Sequence, residues 1–325
     1  MTSRTLTLRL RRRIKRSRRQ VEDLGLLAGE QLDEHLIRRF SRFFMVWRFV
    51  TAWFLLFVLC MACVASQAAA LTGYYTSPGF VPGGIYDEGI LGDFTNASPL
   101  YATSPVDQTV SRLMFSSLLT YNNRNQLVGD LAAGWSVNST GRVYTVHLKP
   151  DIYWQDGQPL TAQDVVFTYH VIQDPDAESP LQSSWQDVTV TAANPSTVVF
   201  TLANPLSSFP YSLTNGIVPQ HLLKNIPMTE MRSALFNTVN PIGSGPFKWK
   251  SIEVSGGTPS TRQERIVMTP FRRYFGSKPK LSAFVIDAYH NKNMLIKNFQ
   301  QGTLTAMVGL NHVPASVAHD SGLTT

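Results

Sequence analysis

Apolar and polar positions alternate between Val143 and Leu148, setting Tyr144, Val146 and Leu148 on one face and Val143, Thr145 and His147 on the other. A period of two, rich in β-branched and aromatic residues, predicts a half-buried strand. Asp156-Gly157 marks a turn, because glycine enters positive φ without steric cost. Thr161 stands three residues before Asp164, the spacing of a capping box, and predicts a helix start. The turns that follow carry Val165, Val166, Phe167 and Tyr169, and Pro175 closes the helical region.

The same reading extends along the chain. Ser104-Pro105 supplies an N-cap and a first-turn proline for a helix whose apolar face is Val106, Val110, Leu113 and Met114. Val188–Val190 and Thr197–Leu202 read as strands joined at Asn194-Pro195-Ser196, and another helix is predicted around Asn293–Gln301. Helices and strands are mixed without strict alternation. Trp135 and Trp154 sit within such patterned segments and are predicted to pack in the core.

One stretch has no polar face at all. Phe49 to Ala65 carries no charge over 17 residues and, flanked by Trp47 and Leu71, is just long enough to cross a ~30 Å hydrocarbon layer. The charge distribution orients it. Residues 1–48 hold 13 Lys or Arg against 5 Asp or Glu, whereas residues 49–325 hold 16 against 17. The net +7 of the chain therefore belongs to the head, and the positive-inside rule places that head in the cytoplasm and the body outside. Small residues at Ser66-Gln67-Ala68 and Ala68-Ala69-Ala70 offer a signal-peptidase alternative, and Ala62-Cys63 resembles the end of a lipoprotein motif. A head this long exceeds an ordinary signal-peptide n-region, so an uncleaved signal anchor over 46–71 is the preferred reading. Within the head, Leu24, Leu27, Leu32, Leu36, Ile37 and Phe40 recur at roughly helical spacing, as in an amphipathic helix lying on a membrane surface or a partner. No aromatic interleaving or helix-turn-helix pattern accompanies the basic residues, so nucleic acid is not an expected partner. Residues 72–85, with Gly73, Pro78, Gly79, Pro82, Gly83 and Gly84, read as a linker.

Candidate chemistry is sparse. The two cysteines, Cys60 and Cys63, fall inside the apolar segment, where small thiols suit a membrane helix, and no second ligand pair exists. The seven histidines are scattered without metal-ligand spacing. Gly243-Ser244-Gly245-Pro246 lacks the Gly-Lys-Ser end of a phosphate loop, and turn and cap roles account for Asp156 and Asp164. No catalytic residue, metal or cofactor is expected, and the chain does not read as an enzyme.

The run Trp154–Phe167, W-x-D-G-x-P-L-T-A-x-D-V-V-F, closely resembles a signature of the solute-binding proteins of peptide, nickel and related ABC importers, extracellular solute-binding family 5. Further matches follow in the family's order: Asn96-Ala97-Ser98-Pro99-Leu100, Leu118-Leu119-Thr120-Tyr121, Leu131-Ala132-Ala133-Gly134-Trp135, Asp174-Pro175, Ile217-Val218-Pro219-Gln220-His221, and Pro241-Ile242-Gly243-Ser244-Gly245-Pro246-Phe247. The last has serine where the family usually has threonine.

This resemblance implies an α/β fold of the periplasmic-binding-protein-like class II type, preceded here by one transmembrane helix. Lobe I would comprise 86–112 and 205–325, with a family-specific subdomain at 113–204, after the head (1–45), anchor (46–71) and linker (72–85). Family members usually run several hundred residues further, so the expected lobe I is incomplete, and the chain is either part of a longer protein or a shortened form. The implied function is capture of an oligopeptide outside the cell membrane and delivery to ABC permease subunits by lobe closure. A membrane-anchored sensor or scaffold reusing the module without transport is the alternative. The implied ligand-binding residues are Asp93, Phe94, Thr95 and Asn96 after the first strand, and Asn215 and Gly216 before Ile217. Loop ends there are expected to offer backbone N–H and C=O groups to an extended peptide.

Overall fold

The computed structural model describes residues 46–75, 83–258 and 261–312; the expected amphipathic helix of the head lies outside them. The chain divides into two compact units, Met1–Gly79 and Phe80–Thr325. In the first, α1 spans Trp47–Tyr75, and its Phe49–Ala69 stretch is long and apolar enough to cross a membrane. The helix outruns the expected anchor, so residues 72–75 of the expected linker are helical. Ala68, Ala69, Ala70 and Leu71 are strong helix formers, and their preference outweighs the single Gly73.

The second unit begins with β1 (Ile85–Leu91), α2 (Pro105–Met114), β2 (Leu119–Tyr121), β3 (Leu127–Gly129), β4 (Ala132–Val137), β5 (Val143–Leu148) and α3 (Ala162–Gln173). It continues with β6 (Val188–Asn194), β7 (Thr197–Leu202), α4 (Gln220–Leu223), β8 (Phe247–Ser255), β9 (Gln263–Pro270), β10 (Ala283–Tyr289), α5 (Lys292–Gln300) and β11 (Ala306–Val308). A mixed five-stranded sheet has the order β11-β1-β10-β9-β8, with β1 parallel to both β10 and β11 and the β10-β9-β8 run antiparallel. A four-stranded antiparallel sheet has the order β4-β5-β7-β6, and β2 pairs with β3. The expected lobe I segments contribute the first sheet and the expected subdomain segment the other two. One hydrophobic core runs through all of them.

The signature segment folds as its pattern dictates. Tyr144, Val146 and Leu148 of β5 are buried, Gly157 adopts φ +95°, and the Thr161 N–H donates to the Asp164 carboxylate at 2.8 Å to open α3. The other Asp164 oxygen accepts from the Gln220 N–H at 2.9 Å, so one helix cap also secures the start of α4. At α2 the Ser104 hydroxyl accepts from the Asp107 N–H at 3.0 Å; Val106, Val110 and Met114 are fully buried, while Leu113 is only half-buried. Trp154 lies in the core as predicted, but Trp135 is 38% exposed. Trp135 pairs with the buried Val146 and so shares its face of the sheet. It stands on the edge strand β4, beyond which nothing in its own sheet covers it.

Close backbone approach explains the two glycines of the Pro241–Phe247 motif, since a Cβ at either would clash with the Met114 backbone. A Cβ at Gly243 would lie 1.8 Å from the Met114 carbonyl oxygen, at the end of α2. That contact ties the motif to the helix whose first turn borders the candidate site.

Candidate functional site

Strand direction brings distant residues to one end of the five-stranded sheet. β1 and β10 are parallel, so their C-terminal ends lie side by side, and antiparallel β9 begins there, with Gln263 opposite Tyr289. Gly92, at φ +135°, turns the chain after β1 into Asp93, Phe94 and Thr95; His290 follows β10 directly. The β8–β9 hairpin adds Gly256, Gly257, Thr258, Arg262 and Glu264, and these elements enclose an open cleft of about 490 Å³. The carboxyl ends of strands are where ligands bind in open α/β sheets.

The cleft is built on two buried carboxylates. Glu264, 3% exposed, accepts from the Phe94 N–H at 2.7 Å through Oε2 and from Arg262 Nε and Nη2 at 3.0 and 2.7 Å through Oε1. Asp107 sits in the first turn of α2, where the helix dipole favours a negative charge. Its Oδ1 accepts from the Thr95 and Asn96 N–H groups at 2.8 and 3.0 Å, and its Oδ2 from the Thr95 hydroxyl at 2.7 Å. The ring of Phe94 packs against Trp249, with centroids 5.5 Å apart. Residues 93–95 are thus held as a rigid wall. At its rim Asp93 Oδ1 pairs with His290 Nε2 at 2.7 Å, and the two side chains are 48% and 28% exposed.

Three of the six residues implied by the sequence, Asp93, Phe94 and Thr95, line this cleft. Asn96 does not. It is buried, its side-chain oxygen accepting from the Ser98 N–H at 2.8 Å and its amide nitrogen donating to the Arg232 carbonyl. Asn215 and Gly216 are also outside the lining. Gly216 bridges Ser117 in antiparallel fashion, and a Cβ there would meet Phe115 and Pro99 at 2.9 Å. Of the backbone groups expected to face a peptide, the N–H groups of Phe94, Thr95 and Asn96 are already taken by Glu264 and Asp107. What the wall presents instead is side-chain charge.

Sequence reasoning missed Arg262, Glu264 and His290. The Gly256-Gly257 pair could have signalled a hairpin, but no local cue places its tip beside Asp93. A second ionic group lies on the neighbouring strands. Arg265 bridges Asp287 at 2.7 Å and Asp87 at 3.1 Å, and Asp287 is 2% exposed. Burial lifts the Asp287 carboxyl above its ordinary range, opposed by the adjacent Arg265 cation. Burial also pushes the nearby Tyr289 hydroxyl up to about 12. Among the described residues no three His, Cys, Asp or Glu side chains gather as a metal site.

Comparison with known proteins fits this architecture. The sequence model described as bacterial extracellular solute-binding proteins, family 5 Middle, matches residues 126–321. The oligopeptide-binding protein AppA of Bacillus subtilis is 26% identical over 246 residues, which cover 75% of this chain and 44% of that protein. The solved structure of AppA in complex with a nonapeptide superposes with a TM-score of 0.62 at 27% identity, over 69% of this chain and 43% of AppA. NikZ from Campylobacter jejuni, in complex with Ni(L-His), gives a TM-score of 0.59 at 26% identity, over 68% of this chain and 42% of NikZ. The chain therefore spans less than half the length of these relatives. With more than half of its residues matched by the family model and its α/β body shared with solved members, this chain belongs to family 5 of the bacterial extracellular solute-binding proteins, which are binding proteins rather than enzymes.

Proposed function

We propose that this chain captures oligopeptides outside the cytoplasmic membrane for an ABC importer, tethered by α1. The observation that carries this reading is the cleft at the carboxyl ends of β1 and β10, rigidly walled by residues 93–95, in a body similar to a nonapeptide-binding relative. Residues 86–112 and 205–325 would form one wall of the binding site, with 113–204 as an attached subdomain, and closure of a second lobe would complete the enclosure. Because the wall's amides are internally bonded, peptide recognition here would rest on the charged rim and on the loop of the β8–β9 hairpin. The apolar Phe49–Ala69 helix and the basic head before it support a single-pass anchor with the N-terminus in the cytoplasm and the body outside.

The test is calorimetric titration of the detergent-solubilised full chain with short peptides, alongside uptake of a labelled peptide by cells with and without the gene. Saturable binding together with lost uptake is the expected result. Binding without any change in uptake would overturn the importer assignment and favour a sensor, with the 13 Lys and Arg of the head as the surface for an intracellular partner.

A further inference from the structure

The two acidic groups lining the cleft are differently engaged. Glu264 is buried and committed to the Phe94 amide and to Arg262, so it supports the wall and offers a ligand little. Asp93 stands at the rim, half exposed as a side chain, and its ionisable neighbour is the His290 imidazole. The contacting Oδ1 is shielded from water yet makes no hydrogen bond of good geometry with the imidazole, so the pair is loosely engaged and the carboxylate's hydrogen-bonding capacity is left unused. The charged groups lining the cleft are Asp93, Glu264, Arg262 and His290. Arg262 and Glu264 balance each other, which leaves the Asp93 carboxylate facing only the ionisable imidazole of His290.

From this geometry we infer that Asp93 is a specificity-determining residue that binds an alkylammonium group of the ligand, and that His290 occupies that cation's place until the ligand displaces it. The inference rests on the peptide-binding reading of the same cleft. An ammonium entering beside Asp93 replaces an ion pair that lacks hydrogen-bond geometry with a charge-assisted hydrogen bond in a partly desolvated site. On a peptide, that group is either the amino terminus or a lysine side chain. The Asp93 main chain is held independently of its carboxylate, since its carbonyl accepts from the Ser104 hydroxyl at 3.2 Å. The side chain can therefore change partner without moving the wall.

Three probes separate the sources: trialanine amide with a free amino terminus, its N-acetyl form, and the N-acetyl form with lysine at the middle position. Each is titrated calorimetrically into the solubilised full chain near neutral pH. The expected result is that trialanine amide, the lysine peptide, or both bind about 10- to 100-fold more tightly than the uncharged form, the range of a charged hydrogen bond. Asp93→Asn is expected to abolish that preference, and His290→Gln to strengthen binding of the preferred peptide several-fold by freeing the carboxylate. Equal binding of all three peptides to the wild type overturns the inference while leaving peptide capture intact. So does a preference that survives in Asp93→Asn, or one that vanishes in His290→Gln. No binding of any probe overturns the peptide reading itself, and this inference with it.

Discussion

The two large sheets of the body are stabilised in opposite ways. The four-stranded sheet rests on an aromatic cluster in which Tyr169 and Trp185 lie 4.0 Å apart by ring centroids and Phe200 contacts Tyr169, Trp185 and Phe209 at 5.4, 6.2 and 5.5 Å. The five-stranded sheet shares the same core on one face, but near the cleft it is organised by carboxylates: Glu264, Asp107 and Asp287 are each buried and paired. The difference teaches where adaptability resides. Apolar packing fixes a surface by excluding water, whereas the buried carboxylates fix the backbone amides of residues 94–96 and leave the neighbouring Asp93 side chain half exposed at the rim.

The comparison is broken most severely at Phe200. Phe200→Ala is expected to cost about 4 kcal/mol, the range for deleting a buried aromatic ring, read as a fall in the urea midpoint of the body. Asp107→Ala on the cleft side leaves two amides and a hydroxyl without their acceptor and should cost about 3 kcal/mol. Its distinguishing sign is accelerated hydrogen exchange at Thr95 and Asn96, which Phe200→Ala should not produce selectively. Arg265→Met strands Asp87 and the buried Asp287. The expected loss is about 2 kcal/mol, below the full range for a broken buried pair because the guanidinium is 38% exposed.

A pH series sharpens the contrast. The Asp287 carboxyl is raised in the folded state from its ordinary 3.8, chiefly by burial, so the native protein retains that proton when the unfolded chain has lost it. Stability from this group is greatest below that ordinary value and declines as pH rises through the folded value. Asp287→Asn, which stays neutral, should therefore gain on the wild type between acid and neutral pH. A difference in urea midpoint that is constant with pH would rule this out. The smallest effect is expected at Trp135, where replacement by serine should cost about 1 kcal/mol or less, since the edge strand leaves much of the ring in water.

Much of the four-stranded region was legible in the sequence because its signals are local. The alternation from Val143 to Leu148, the positive-φ glycine at 157 and the Thr161–Asp164 cap each depend on residues within a few positions of one another. Trp135 was misread for the complementary reason: alternation gives the face of a strand, not its place in the sheet. The cleft was legible only on one side. The turn after β1 could be read forward into Asp93, Phe94 and Thr95, but Glu264 is 170 positions from Phe94 in sequence and reaches it only through the pairing of β10 with both β1 and β9.

The sequence by itself determined the apolar segment that can cross a membrane, the charge asymmetry of the head, the main strands and helices, and the family motifs, because each is encoded by neighbouring residues. Tertiary structure alone decided that the amides of Phe94, Thr95 and Asn96 are occupied, that Asn96 and Gly216 lie outside the cleft lining, and that Asp93 meets His290. The Glu264–Phe94 and Asp93–His290 contacts follow from strand order and direction, whereas the Asp107 bonds depend on how α2 docks against the turn after β1.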